Sequence, residues 1–215
     1  MNCCGHCRDA GDFFNERTAK KELRRYLRKG PDKSTRLLLE AITRQSTHVH
    51  DATLLDIGGG IGAIQLELFK KGLDRSVNVD ASTAYQRISK KEILERGLAN
   101  RTEYYFGDFT ELAPELPSAE IVTLDRVICC YPDLEKLLDR SLQKAEKMYA
   151  LVFPRELFYI RIGIRLGNLW FRLRKSEFRT YIHPFQKVDS IIRSHGFTLN
   201  THEKTLIWHV LIYEK

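Results

Sequence analysis

The chain has 215 residues, a length that suits one domain with a full core and argues against two. With 43% hydrophobic and 29% charged residues it has the make-up of a soluble globular protein, and no repeat or low-complexity tract interrupts it. The net charge of +7 favours anionic partners in general, no stretch is apolar enough to span a bilayer, and no secretory signal is visible, so a cytoplasmic location is expected.

The N-terminus is rich in cysteine. Cys3, Cys4 and Cys7 crowd around His6, which is not the spacing of a disulfide framework. Cys4 and Cys7 form a C-x-x-C that can hold a metal only with further ligands. No second C-x-x-C follows, although Cys129 and Cys130 stand far along the chain. A reduced tail is the plain expectation, and a metal or redox role the alternative.

Residues 12–27 predict a helix, stopped by Gly30 and Pro31. Residues 34–44 predict a second, with Leu37, Leu38, Ala41 and Ile42 turned to a core. These two helices and the cysteine tail make up an N-terminal arm, residues 1–48. From residue 49 the pattern becomes alternating. "TLLDIG" predicts a buried strand, "GAIQLELFKKG" a helix, "SVNVDAS" a strand and "STAYQRISKKEILERG" a helix. "RTEYYFGDF" and "EIVTLDRVI" predict two more strands, "PDLEKLLDRSLQKAE" a helix and "MYALVFP" a fifth strand. "HPFQKVDSIIRSHGF" then predicts a helix before two closely spaced strand-like runs, "FTLNTHEKT" and "LIWHVLIYEK". Alternating strands and helices imply an α/β fold, a parallel sheet with helices on both faces. The last two runs are too close for a parallel crossover, so one strand near the end must be reversed.

The turn after the first strand, "DIGGGIGA", fits two nucleotide-binding patterns. Gly58, Gly60 and Ala63 match G-x-G-x-x-A, and Gly58, Gly60 and Gly62 match G-x-G-x-G. Three acids outside the turn bear on the choice. Asp56 would repel a pyrophosphate but suits a ligand carrying an amino group. Asp80, at the end of the second strand, can accept from both hydroxyls of a ribose. Asp108, beside aromatic rings in "FGDF", suits the exocyclic amine of an adenine.

With "LLDIGGGIGA", "NVDAS", "FGDF" and "IVTLDRVICCYPD" in this order, residues 50–215 resemble the class I S-adenosylmethionine-dependent methyltransferases. The resemblance implies a Rossmann-like, seven-stranded, mostly parallel sheet with a reversed last strand. It implies S-adenosylmethionine as cofactor. The expected contacts are Asp56, Gly58, Gly59, Gly60 and Gly62 on the methionine side, Asp80, Ala81 and Ser82 at the ribose, and Gly107, Asp108 and Phe109 at the adenine. Asp125 and Arg126 line its other side. "DRVICCYPDLEKLL", "VFPRELFYIRIGIRLGNLWFR" and "YIHPFQKVDSIIRSHGF" are further similar to magnesium-protoporphyrin O-methyltransferases and related small-molecule enzymes. There a His typically precedes the Tyr-Pro after the fourth strand; here that position is Cys130.

Methyl transfer from a sulfonium is an in-line displacement that depends mainly on positioning, with a base needed only if the acceptor must lose a proton. Tyr131 and His183 are the candidate catalytic groups, Tyr131 alternatively packing on Pro132 and His183 opening a helix. Cys130 is more simply a buried small hydrophobe. Arg17 and Tyr26 of the arm are candidates to cover the cofactor.

Residues 155–182 form a lid-like insertion. Between 155 and 179 lie seven basic residues, two acids and several aromatics. Arg161, Arg165 and Arg172 share one helical face, and Leu157, Ile160, Ile164 and Phe171 another. The segment reads as a surface helix or as a lid over an apolar, anionic small molecule, with membrane-surface or nucleic-acid contact as alternatives. A small-molecule acceptor is expected. RNA or protein methylation, or a nucleotide-binding module with a metal-linked cysteine cluster, are the other readings. A single Pro132 after strand four departs from the pattern of base-amino methylases.

Overall fold

The computed structural model describes residues 11, 13–44 and 49–215; Cys3, Cys4, His6 and Cys7, with the metal expectation attached to them, lie outside these. Among the elements described in full, two helices come first. Helix α1 spans Glu16–Lys29 and α2 spans Lys33–Arg44. The first was expected from residue 12, but Asn15 is its N-cap, its side chain accepting from the N–H groups of Arg17 and Thr18. Asp32 starts α2 in the same way, accepting from Thr35 N–H.

Strands β1 (Thr53–Ile57), β2 (Arg75–Asp80), β3 (Thr102–Phe106), β4 (Ala119–Asp125) and β5 (Ala145–Pro154) alternate with helices α3 (Ala63–Phe69), α4 (Thr83–Glu95), α5 (Phe109–Leu112) and α6 (Leu134–Leu142). Then come α7 (Phe158–Leu173), α8 (Phe185–Ser194), β6 (Thr198–Lys204) and β7 (Trp208–Glu214). The α6 segment was expected to stay helical to residue 146. It stops at Leu142, and Ala145 already pairs with Ala119 of β4.

The seven strands form one sheet in the order β3-β2-β1-β4-β5-β7-β6. All neighbours pair parallel except β7, which is antiparallel to both β5 and β6. This is the mostly parallel, Rossmann-like sheet with a reversed last strand that the sequence implied. The order reverses between β1 and β4. Ligands of such sheets bind at that point, beyond the carboxyl ends of the strands.

Alternation along β1 divides the core. Leu55 and Ile57 pack with Val122, Leu124, Leu137 and Ile192 on one face. Leu54 packs with Leu38, Ile42, Leu68 and Val152 on the other, so α2 of the arm covers the same sheet face as α3. Each fully buried Leu or Ile contributes about 1.5–3 kcal/mol relative to exposure, which fixes the strand register. A third cluster joins Ala19 and Tyr26 of α1 to Ile61, Leu66, Tyr85 and Ile88. It holds α1 against α4, beside the glycine turn.

Candidate active site

The site is built from the turn after β1. Gly58 N–H donates to Val79 O at 2.7 Å, which ties the turn to the end of β2. Gly60 has φ of 55°, a left-handed conformation, and its N–H donates to Asp80 Oδ2 at 2.9 Å. Gly59 cannot carry a side chain, since a Cβ there would stand 2.2 Å from Asn78 Nδ2 and 2.9 Å from Asp56 Oδ2. Gly62 starts α3.

Beyond the strand ends lies a cavity of about 450 Å³. Gly58, Gly60, Asp80, Ala81, Ser82, Gly107, Asp108, Phe109, Asp125, Arg126 and Tyr131 all line it. A smaller recess of about 60 Å³ adjoins it and is lined by Asp56, Gly58, Gly59, Gly60, Asp32, Thr35, Arg25, Asp125 and Arg126. Of the residues expected to contact or cover the cofactor or to act in catalysis, all but three therefore converge. Gly62 is structural. Arg17 is exposed and is not among the lining residues. His183 is not among them either, because its Nε2 lies 2.9 Å from Ile128 O, so as a donor there it braces the Ile128–Cys130 turn. Burial lowers its pKa, which keeps that ring neutral. The ring of His183 therefore faces the Ile128 carbonyl and not the cavity.

Each acid has a distinct setting. Asp80 Oδ1 accepts from Ser82 N–H at 2.7 Å, and Oδ2 from Gly60 N–H. Each oxygen keeps lone-pair capacity toward the cavity, which is what vicinal hydroxyls need. Burial raises the Asp80 pKa to about 6, against those two N–H donors. Asp56 is 1% exposed. Its Oδ1 accepts from Thr123 Oγ1 at 2.6 Å, while its buried Oδ2 has no hydrogen-bond partner. Burial raises its pKa to about 7, opposed by Thr123 and reinforced by Asp125 and Asp80. An unmatched carboxylate oxygen beside a recess can take a cationic donor.

Arg126 has φ of 63°, unusual for a residue with a side chain. The backbone turn is held by Arg126 N–H donating to Val152 O at 2.9 Å. Its guanidinium donates to Asp32 Oδ2 at 2.7 Å and to Asp125 Oδ1 at 3.1 Å. Burial alone would raise Asp32, but Arg126 and the Thr35 and Ser34 donors outweigh it and bring its pKa to about 2.

Sequence reasoning passed over Asp32, Thr35, Glu22 and Tyr85. Tyr85 O–H donates to Glu22 Oε2 at 2.8 Å beside Gly60. The signal for Asp32 was its place after Pro31 with Thr35 three residues on, a helix-cap pattern. Tyr26 lines the small recess, but its hydroxyl is used on Glu67 at 2.6 Å.

Residues 55–145 match the family model of a methyltransferase domain. These residues form a methyltransferase domain of the class I S-adenosylmethionine-dependent kind. Solved structures share the fold of this methyltransferase at low identity. Magnesium protoporphyrin IX methyltransferase from Synechocystis PCC 6803, with bound S-adenosylhomocysteine, is 16% identical with a TM-score of 0.73, over 96% of this chain and 98% of that one. An O-methyltransferase family 2 protein from Planctomyces limnophilus DSM 3776, in complex with apigenin, is 16% identical with a TM-score of 0.59, over 87% and 63%. The [4+2]-cyclase SpnF is 14% identical with a TM-score of 0.65, over 84% and 81%. No curated protein matches the methyltransferase in sequence.

The walls of the cavity differ in character. Acids and glycines line the ends of β1, β2 and β4. Val127, Cys129, Cys130, Pro154, Ile164 and Trp208 form an apolar wall, with Ile164 contributed by α7. Cys129 and Cys130 stand with their sulfurs 3.7 Å apart. Arg161, Arg165 and Arg172 are exposed on α7 and do not line the cavity. Among the described lining residues the one guanidinium is Arg126, already paired with Asp32 and Asp125.

Proposed function

We propose that this methyltransferase methylates a small, mainly apolar acceptor held between the cofactor and the wall formed by Cys129, Cys130, Pro154, Ile164 and Trp208. The observation that carries this is the juxtaposition of an acid-lined floor and an apolar wall in one cavity of about 450 Å³, a size that suits a small-molecule ligand. S-adenosylmethionine supplies an electrophilic methyl on a sulfonium. In this reading Asp80 holds the ribose hydroxyls, and Asp108 and Phe109 meet the adenine. Asp56, Asp125 and Arg126, clamped by Asp32, face the amino-acid end. Residues 49–215 act as the catalytic domain, and residues 155–182 act as its lid. Tyr131 is a positioning residue, since its hydroxyl is engaged with Asp108.

An apolar wall whose described residues include no histidine or carboxylate favours catalysis by alignment, with acceptors that are already nucleophilic. The exposed position of the α7 arginines narrows the earlier expectation of an anionic acceptor to one whose charge, if any, lies outside the cavity. The test is incubation with methyl-labelled S-adenosylmethionine and a cell extract separated into RNA, protein and organic-soluble fractions. Label in the organic-soluble fraction is the expected result. Label confined to RNA or protein would refute the small-molecule reading while leaving methyl transfer intact.

A further inference from the structure

Helix α7 has two apolar stripes, and only one of them is covered. Ile160, Ile164 and Phe171 follow helical spacing and face inward; Ile160 and Phe171 are buried and Ile164 lines the cavity. Phe158, Ile162, Leu166, Leu169 and Leu173 follow the same spacing, and all five are exposed. Phe158 and Leu173 are each 75% exposed and Leu166 is 62% exposed. A second row, Arg161, Arg165 and Arg172, borders this outer stripe and is also exposed. The helix carries no Asp or Glu.

The β6–β7 turn extends the patch. Leu206 is 81% exposed and Ile207 is also exposed. Tyr159 O–H donates to Leu206 O at 2.8 Å, and Arg155 N–H to Ile207 O at 2.8 Å, so turn and helix move as one surface. Trp170, partly exposed, has the Arg174 guanidinium 4.3 Å from its ring centroid, at the other end. A sixteen-residue helix is about 24 Å long, too short to cross a bilayer. No helix among the described residues is long and apolar enough to do so.

We propose that the outer face of α7, with the Leu206–Ile207 turn, docks in the plane of an anionic lipid surface. The apolar stripe enters the boundary between headgroups and acyl chains, the arginine row meets lipid phosphates, and Tyr159 and Trp170 lie at headgroup level. Charge decides between a lipid and an uncharged apolar partner. A stripe bordered by arginines with no acid on the helix complements an anionic surface and opposes a second copy of the same basic face. Because Ile164 on the opposite side of α7 lines the cavity, docking places the site directly beneath the lipid boundary. The proposal does not depend on the identity of the acceptor.

Flotation of the full chain with vesicles tests it. Mixed phosphatidylcholine–phosphatidylglycerol vesicles should carry the protein, pure phosphatidylcholine vesicles should carry much less, and added salt should weaken the binding. Leu166→Asp with Leu169→Asp should lower partitioning by at least about tenfold. Arg161→Ala and Arg165→Ala should each lower it roughly fivefold. Both sites are solvent-facing, and unchanged affinity for S-adenosylhomocysteine would show that the variants remain folded. The proposal is overturned by failure to float with anionic vesicles, or by equal flotation of the aspartate variant. A dimer in light scattering that this variant dissolves would overturn it too, assigning the face to a second copy.

Discussion

Tyr131 O–H donates to Asp108, lying 2.8 Å from Oδ1 and 3.0 Å from Oδ2, and stands 2.6 Å from Thr110 Oγ1. The phenol comes from the segment after β4 and the carboxylate from the end of β3. The bond therefore joins two sides of the cavity across β1 and β2. Asp108 also caps α5 by accepting from Thr110 N–H at 2.8 Å. In the proposed reading, a carboxylate fixed this way presents a defined edge to the adenine amine.

Tyr131→Phe removes the donor and leaves the ring. Loss of one hydrogen bond to a charged group costs about 1.5–3 kcal/mol where it is fully expressed. The expected outcome is S-adenosylhomocysteine affinity weakened by roughly tenfold, with turnover at saturating cofactor reduced far less. Calorimetry and a comparison of KM with kcat separate the two. A collapse of kcat with cofactor affinity intact would restore Tyr131 as a catalytic base.

Asp80 predicts a pH dependence of cofactor binding. Its carboxylate must be ionised for both oxygens to accept from hydroxyls, and burial raises its pKa to about 6. Affinity for S-adenosylhomocysteine should therefore be flat above that value and fall below it, approaching about tenfold per pH unit. Asp80→Asn should bind weakly at every pH and lose this slope. An undiminished affinity at pH 5 would contradict the ribose contact.

Much of this fold could be read from residue order. Period changes marked every strand and the longer helices, though not the four-residue α5, and the spacing of the last two runs required the reversed β7. The acids at strand ends were legible because each closes an apolar run, as Asp80 closes "SVNVD". Partnerships across the chain were not. Nothing near Arg126 in sequence points to Asp32, 94 residues away, because that pairing depends on α2 lying across the sheet. His183 looked catalytic by residue type alone, and only the fold showed its ring turned to the carbonyl of Ile128. The outer stripe of α7 was hidden for a related reason. Periodicity locates an apolar face but does not say whether anything covers it.

The Asp32–Arg126 pair predicts an acid-side loss of stability. Asp32 has its pKa lowered from 3.8 to about 2. A depressed carboxylate stabilises the fold fully above its unfolded value, and this contribution is lost as pH falls from about 4 toward 2. Asp32→Ala should destabilise the protein at neutral pH by about 1–3 kcal/mol, since it leaves a partly buried guanidinium with one partner fewer. It should also flatten the melting-temperature profile below pH 4 relative to the wild type. Thermal melts across this range check both, and an unchanged acid slope would remove Asp32 as its source.

Asp56 predicts the opposite sign. Its pKa is raised from 3.8 to about 7, so the folded protein holds a proton that the unfolded chain has released. Its contribution is therefore lost as pH rises through that window, and the cost is greatest above pH 7. Asp56→Asn removes the titration. The amide oxygen can still accept from Thr123, and the amide N–H is offered beside Asn78 Oδ1, a buried acceptor without a partner on the adjacent strand. The variant should melt higher than wild type at pH 8, by roughly 2–4 °C for about 1 kcal/mol in a domain of this size, with a smaller gain at pH 5. The same change withdraws a negative charge from the recess, so affinity for S-adenosylhomocysteine should fall while stability rises. A variant that gains stability and keeps full affinity would show that the amino group is held elsewhere in the recess. One that melts lower at pH 8 would show that the ionised carboxylate stabilises the glycine turn.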